Sequence, residues 1–298
     1  MQIHFPKMDS PLIEKSDLRN ISKVLSSSWV NDLVDDTRYK TAKKQLKTII
    51  RESNFQITGN KIGDALNEIY TGLLTNYRNE YVYKNILLNT FVKEHHDQIE
   101  TIILNEFQIN KSKADVVTIN GTSSVFEIKT ELDSPLRLKT QINDYFKAFN
   151  HVYIVTHHSL INKYLPLLNN GEGLIILTSD LKYQTVIEAS YLDSMLSIET
   201  MMKCLRKQEF TQVNLNLFQE IPNAKDIYLF DAILEQAQTI SPLIYQREFL
   251  SMLKRRKLSE IDLFHSTNTP EFLKYICYRL DLSKNQYIRL LKNLNSKL

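Results

Sequence analysis

The sequence predicts an α/β protein with a mixed central sheet and flanking helices, set between helical N- and C-terminal regions. Three observations carry this expectation. Two runs rich in β-branched residues flank Asn120-Gly121, a strand–helix–strand pattern follows at once, and apolar residues recur with helical period toward both ends.

Residues 1–70 read as the helical N-terminal region, with period-3.6 patterns over 16–26, 39–52 and 62–75. The segment DTRYKTAKKQLKTIIRES is basic along one side through Lys40, Lys43, Lys44 and Lys47. A solvated helix face and a phosphate-facing surface are both open readings of it. Residues 71–190 read as the α/β core. Asn120-Gly121 marks a hairpin between strands at about 114–119 and 124–130. Leu138, Ile142, Tyr145, Phe146 and Phe149 then predict an amphipathic helix over 135–149, with Pro135 in its first turn and Asp133 or Ser134 as its cap. The apolar run 152–156 is a strand, and right-handed closure makes it parallel to the strand before the helix. GLIILT (173–178) and YQTVIEA (183–189) supply two more strands. Residues 191–298 return to helix, with 198–206, 224–237, 241–255 and 269–280 the clearest, and Ser283 as N-cap of the last. Lys254-Arg255-Arg256-Lys257 is the densest basic cluster, read as a phosphate contact or as cations at a helix C-terminus.

Composition sets the bounds. The chain has 298 residues, 43% hydrophobic and 24% charged, the profile of a soluble globular protein. It carries no apolar run long enough for a membrane span. MQIHFPKMDSPLIEK shows no secretory signal, and Cys204 and Cys277 are expected to stay reduced, so a cytoplasmic location is expected. A net charge of +3 is compatible with local basic patches that face nucleic acid.

The candidate site lies in KADVVTINGTSSVFEIK. Asp115 stands on the first hairpin strand. Glu127 and Lys129 stand on the second and project to one side, roughly 6–7 Å apart, while Phe126 and Ile128 point to the other, into an expected core. Two converging carboxylates repel, so Asp115 and Glu127 call for a cation or a shared proton. Hard oxygen ligands favour Mg²⁺ or Mn²⁺ over zinc, with the Ile128 carbonyl as a further ligand. Lys129 would then hold an attacking water or neutralise charge on a reacting phosphate. The alternative is a cross-strand ion pair on a solvated face. Arg137, Gln141 and Tyr145, spaced by four, share one flank of the following helix. Glu131 and Asp133 read as solvated or capping acids. His157-His158 and His95-His96 read as structural, with no zinc spacing around them.

Asp115, Glu127-Ile128-Lys129, Gln141 and Tyr145 together resemble the PD-(D/E)XK nuclease superfamily over roughly residues 79–178. EIKTELDSPLRLKTQINDYFKAFNHVYIV is most similar to a bacterial and phage branch, the sce7726 family. The resemblance implies a restriction-endonuclease-like core and a Mg²⁺- or Mn²⁺-dependent endonuclease, acting on DNA more than RNA, in phage defence or a mobile element. It implies Asp115, Glu127 and Ile128 as metal ligands, with Lys129, Gln141 and the helical acid Glu80 completing the catalytic set. Lys84, Lys113, Arg137 and Tyr145 would face nucleic acid. The branch carries Gly-x-Arg before its metal Asp where this chain has Ser112-Lys113-Ala114, so Lys113 stands in for the positive charge and the substrate contact stays open. A homodimer or a partner protein is compatible with this reading. The competing readings are an inactive nucleic-acid-binding or scaffold subunit of the same fold, and a transcription regulator using the C-terminal helices.

Overall fold

The computed structural model of the chain describes residues 14–94, 101–169 and 171–298. His95 and His96 lie outside the described residues. Helices α1 (Lys15–Ile21), α2 (Ser27–Leu33), α3 (Tyr39–Glu52), α4 (Ile62–Asn76) and α5 (Glu80–Glu94) come first. Strands β1 (Ile102–Ile109), β2 (Ser112–Ile119) and β3 (Ser123–Lys129) follow, then α6 (Leu138–Phe146), β4 (His151–His157), α7 (Ile161–Tyr164), β5 (Gly173–Leu177) and β6 (Tyr183–Ile187). The rest is helical: α8 (Ile198–Lys203), α9 (Lys207–Phe218), α10 (Leu229–Ala237), α11 (Pro242–Leu253), α12 (Ile261–His265), α13 (Lys274–Leu280) and α14 (Lys284–Leu294). Among the described residues no helix is long and apolar enough to cross a membrane.

The chain forms two compact units. One comprises residues up to Asn89 together with Ser259–Leu298, and the other comprises Thr90–Leu258. The first unit is helical and packs the helices of 259–298 with those of 15–89. Trp29 Nε1 donates to the Ala42 carbonyl at 3.2 Å, which pins α2 to α3. Tyr287, Leu290 and Leu294 bury one face of α14, which packs on α4. The Leu298 N–H bonds the Asn60 carbonyl at 2.7 Å. The helical pattern over 16–26 is divided, since α1 ends at Ile21 and a tighter turn over Ser22–Leu25 leads into α2.

The second unit holds a mixed sheet of six described strands in the order β1-β2-β3-β4-β5-β6. β1, β2 and β3 pair antiparallel, β3–β4 and β4–β5 are parallel, and β6 returns antiparallel. The expected parallel crossover is therefore β3–α6–β4. The hairpin turn spans the three residues between paired Ile119 and Ser123, with Gly121 at φ +99, a conformation glycine adopts without steric penalty. One face of the sheet, including Val117, Val125, Ile154 and Leu174, shares a core with Leu138, Ile142, Phe146 and Phe149 from α6 and its C-terminal end. Met201, Phe210, Ile233 and Phe249 from α8–α11 join the same core. The helices from 198 to 253 thus belong with the sheet, while 259–298 belong with the N-terminal helices. The elements named from the sequence did not include α2, α7, α9, α12 or β1. In β1, Glu106 takes φ +50, which interrupts the alternation that marks a strand.

Candidate functional site

The β2–β3 ladder stops where the site begins. Its pairing runs from Ile119↔Ser123 to Val116↔Phe126, so the next position on the same register sets Asp115 across from Glu127. There the Asp115 carboxylate inserts instead, and its Oδ2 accepts the Ile128 N–H at 2.8 Å. Strand alternation carries Val125, Glu127 and Lys129 to the face that α6 covers, so the main core lies on this face and not, as expected, on that of Phe126 and Ile128, which are buried on the other side with Phe126 against Tyr153. Glu127 is 3% exposed and Lys129 7% exposed, so this pair is not a solvated cross-strand contact.

Helix α6 reaches the pair with two side chains one turn apart. Lys129 Nζ donates to Glu127 Oε1 at 2.7 Å and to Gln141 Oε1 at 3.0 Å. Gln141 Nε2 donates to the same Glu127 oxygen at 2.6 Å. The Tyr145 hydroxyl donates to Glu127 Oε2 at 2.6 Å and lies 3.1 Å from the Lys113 carbonyl. Both Glu127 oxygens are therefore held, and the amide of Gln141 has one consistent orientation, oxygen to the ammonium and nitrogen to the carboxylate. Burial pushes the Tyr145 phenol well above its ordinary range, and the charge and hydrogen bond of Glu127, then Asp115, push it the same way. Tyr145 is thus a neutral donor.

Asp115 and Glu127 bring two carboxylates to one mostly buried place beside the Lys129 ammonium. Two acids set this close can share a bound cation. The available donors are carboxylate and carbonyl oxygens, which suit Mg²⁺ or Mn²⁺ and not a thiol- or imidazole-bound metal. Among the described residues no group of three or more His, Cys, Asp or Glu could hold a metal ion, so an ion here would rest on the two acids, the Ile128 carbonyl and water. Both cysteines are free thiols, pushed up to about 12 by burial, and are protonated at neutral pH.

The other sequence-predicted residues are placed as follows. Glu80 and Lys84 are on α5 in the first unit and form an i,i+4 ion pair. Lys84 is 2% exposed, and its Nζ lies 5.7 Å from the Tyr275 ring centroid, so its ammonium is not presented to solvent. Lys113 is exposed but pairs with Glu106 at 2.9 Å. Arg137 is exposed just ahead of α6 and is not part of the Glu127 cluster. Asp133 accepts from the Thr130 N–H and hydroxyl at 2.7 and 2.8 Å, while Ser134 caps the turn over Pro135–Arg137. His157 is buried with Nδ1 2.8 Å from Ser159 Oγ, whereas His158 is exposed. In the basic cluster, Arg256 pairs with Glu209 and lies over the Phe107 ring. One acid was missed. The β1–β2 ladder runs from Asn105↔Val116 to Phe107↔Ala114 and skips Glu106, whose carboxylate pairs with Lys113, two positions before Asp115. Its only signal in the sequence is an acid in a run whose alternation is broken.

Comparison with known proteins adds a family. No curated protein matches the chain. Among solved structures, a protein of unknown function from Silicibacter pomeroyi, SPO1766, is 16% identical over 36% of this chain and 67% of its own, with a TM-score of 0.28, too slight a likeness to carry an argument. The family model described as Bacteriophage P4 protein cII matches residues 74–275, which include the whole sheet, α6 and every residue of the Glu127 cluster. That match covers more than half of the chain, and the chain belongs to the Bacteriophage P4 protein cII family.

Proposed function

We propose that this protein is a metal-dependent nuclease with a restriction-endonuclease-like core, hydrolysing phosphodiester bonds in DNA in preference to RNA. The observation that carries the reading is the buried Glu127–Lys129–Gln141–Tyr145 network beside Asp115. A bound Mg²⁺ or Mn²⁺, held by Asp115, Glu127 and the Ile128 carbonyl, would supply Lewis acidity and a more acidic water. Gln141 and Tyr145 fix the Glu127 carboxylate in one orientation. Lys129 offers a positive charge at the point where a reacting phosphate gains negative charge, in a site that excludes bulk water. The family description names a bacteriophage protein, which supports a phage or mobile-element setting, with antiviral defence as the other setting. The site of action would be the cytoplasm, with a homodimer or a partner protein available for double-strand cutting.

The test is cleavage of plasmid, linear and single-stranded DNA and of RNA, with and without Mn²⁺. Asp115→Asn keeps an acceptor for the Ile128 N–H, and Glu127→Gln keeps an acceptor for Lys129, so each removes charge with little change of shape. Each variant, and Lys129→Ala, is expected to lose about 10²–10³ in rate. Circular dichroism checks the fold. Variants that cut as fast as the parent would sink the reading.

A second reading has its own observation. Lys129 already neutralises Glu127 directly, at 2.7 Å, without a metal. This supports a subunit of the same fold that binds nucleic acid and does not cut. Calorimetry with Mg²⁺ or Mn²⁺ separates the two, using the Asp115→Ala/Glu127→Ala double variant as control: the nuclease binds metal and the control does not.

A further inference from the structure

We propose that the exposed basic stripe of α3 is a docking surface for the phosphate backbone of nucleic acid, a second contact separate from the Glu127 cluster. At 100° per residue, Lys40, Lys44, Lys47 and Arg51 fall within about 60° of one line and span roughly 16 Å along the helix. All four are exposed, and Lys43 is half-buried at the edge of the stripe. Among the described residues none of these five side chains has an ion pair or hydrogen bond.

The nearby acids do not compensate them. Asp32 and Asp35 are engaged by Arg38, and Asp36 is engaged by Arg289. Glu52 is the single acid of α3 and lies off the stripe, after Arg51. Like charges at i,i+3 and i,i+4 oppose helix formation, and Lys40–Lys44, Lys44–Lys47 and Lys47–Arg51 are all such pairs. A polyanion removes this repulsion and gains from it, because a row of phosphates presents closely spaced negative charge.

The apolar side of the helix argues for a nucleic acid over an anionic membrane. A helix lying on a bilayer inserts its apolar face. Ala42 and Leu46 are fully buried within the helix's own unit, and no large hydrophobic residue of α3 is exposed. Only charge is on offer. The choice of nucleic acid rests on the nuclease reading, yet the test needs no cleavage.

The experiment measures binding of the full chain to a short fluorescein-labelled DNA duplex and a single strand in EDTA, over about 50–200 mM salt. It compares the parent with Lys40→Gln/Lys44→Gln/Lys47→Gln/Arg51→Gln and with Lys40→Arg/Lys44→Arg/Lys47→Arg. Loss of four phosphate contacts lowers the slope of log affinity against log salt by about 3–4. The parent then loses about 100-fold more affinity than the Gln variant across that range. The Arg variant keeps the parent slope. An unchanged slope in the Gln variant would assign the stripe to solvent and overturn the proposal, whether or not the parent cuts DNA. Intact DNA binding with lost binding to phosphatidylglycerol vesicles would overturn it in favour of a lipid surface. No binding of the parent to either nucleic acid would overturn it, while cleavage with Mn²⁺ decides the nuclease reading separately. A lowered slope in a parent that never cuts would uphold the stripe and remove the nuclease.

Discussion

Replacing Lys129 with Met removes the cation that, among the described residues, pairs with Glu127. In the parent, Lys129 Nζ lies 2.7 Å from Glu127 Oε1, and both side chains are nearly sealed from water. A surface ion pair contributes about 0.2–1 kcal/mol. Removing one member of a buried pair costs about 3–5 kcal/mol, because the remaining charge stays buried without its partner. Glu127 keeps its bonds from Gln141 and Tyr145, which places the loss near the lower end, about 3 kcal/mol. Hydrogen exchange of the β3 and β4 amides reports the second unit directly, and about 3 kcal/mol appears there as exchange faster by roughly 100-fold. Trp29 is the single tryptophan of the chain and lies in the first unit, so its fluorescence serves as an internal control. The charge-free Glu127→Gln/Lys129→Met double variant is expected to recover most of the loss, since neither charge is then stranded. A Lys129→Met effect below about 5-fold would match a solvated pair and refute the reasoning.

Two further predictions follow from the same unit. Tyr145 is held protonated in the fold and ionises near pH 10 when unfolded, so its contribution is whole below that pH and falls as pH rises beyond it. Between about pH 10 and 11 the parent is expected to lose up to about 1.4 kcal/mol more stability than Tyr145→Phe, read by urea titrations at each pH, and parallel losses would show that Tyr145 ionises freely in the fold. Gly173→Ala in β5 sets a new Cβ 2.3 Å from the Tyr153 ring, which stacks on Phe126 at 5.4 Å, and 2.8 Å from the Ala189 nitrogen. A loss of about 1–3 kcal/mol is expected, partly regained in Gly173→Ala/Tyr153→Leu, and an unchanged melting temperature would show that the ring moves aside freely.

How far the site was legible depended on the range of the signal. Asp115, Glu127, Lys129, Gln141 and Tyr145 all lie within 31 consecutive positions, on a hairpin and the helix after it, where alternation and i,i+4 spacing decide which side chains share a face. The structure brings these five to one place. Arg137 has the same helical spacing but stays outside, because it precedes the helix and is exposed. Lys84 was read as a phosphate contact, yet burial turns it to Glu80 and Tyr275, and no local pattern announces burial of a lysine. Glu106 was invisible because its positive φ breaks the alternation by which a strand is recognised.

The sequence by itself determined the hairpin, the parallel crossover and the helical character of both ends, since each follows from spacing within a short window. Only the tertiary structure decided that the last 40 residues join the first helices, that α8–α11 complete the core beneath the sheet, and that Glu127 and Lys129 are buried as a pair. Periodicity states which face of an element is apolar. It does not state which distant element covers that face, and burial, which converts an ordinary acid-x-lysine into a desolvated charge pair, depends on that cover.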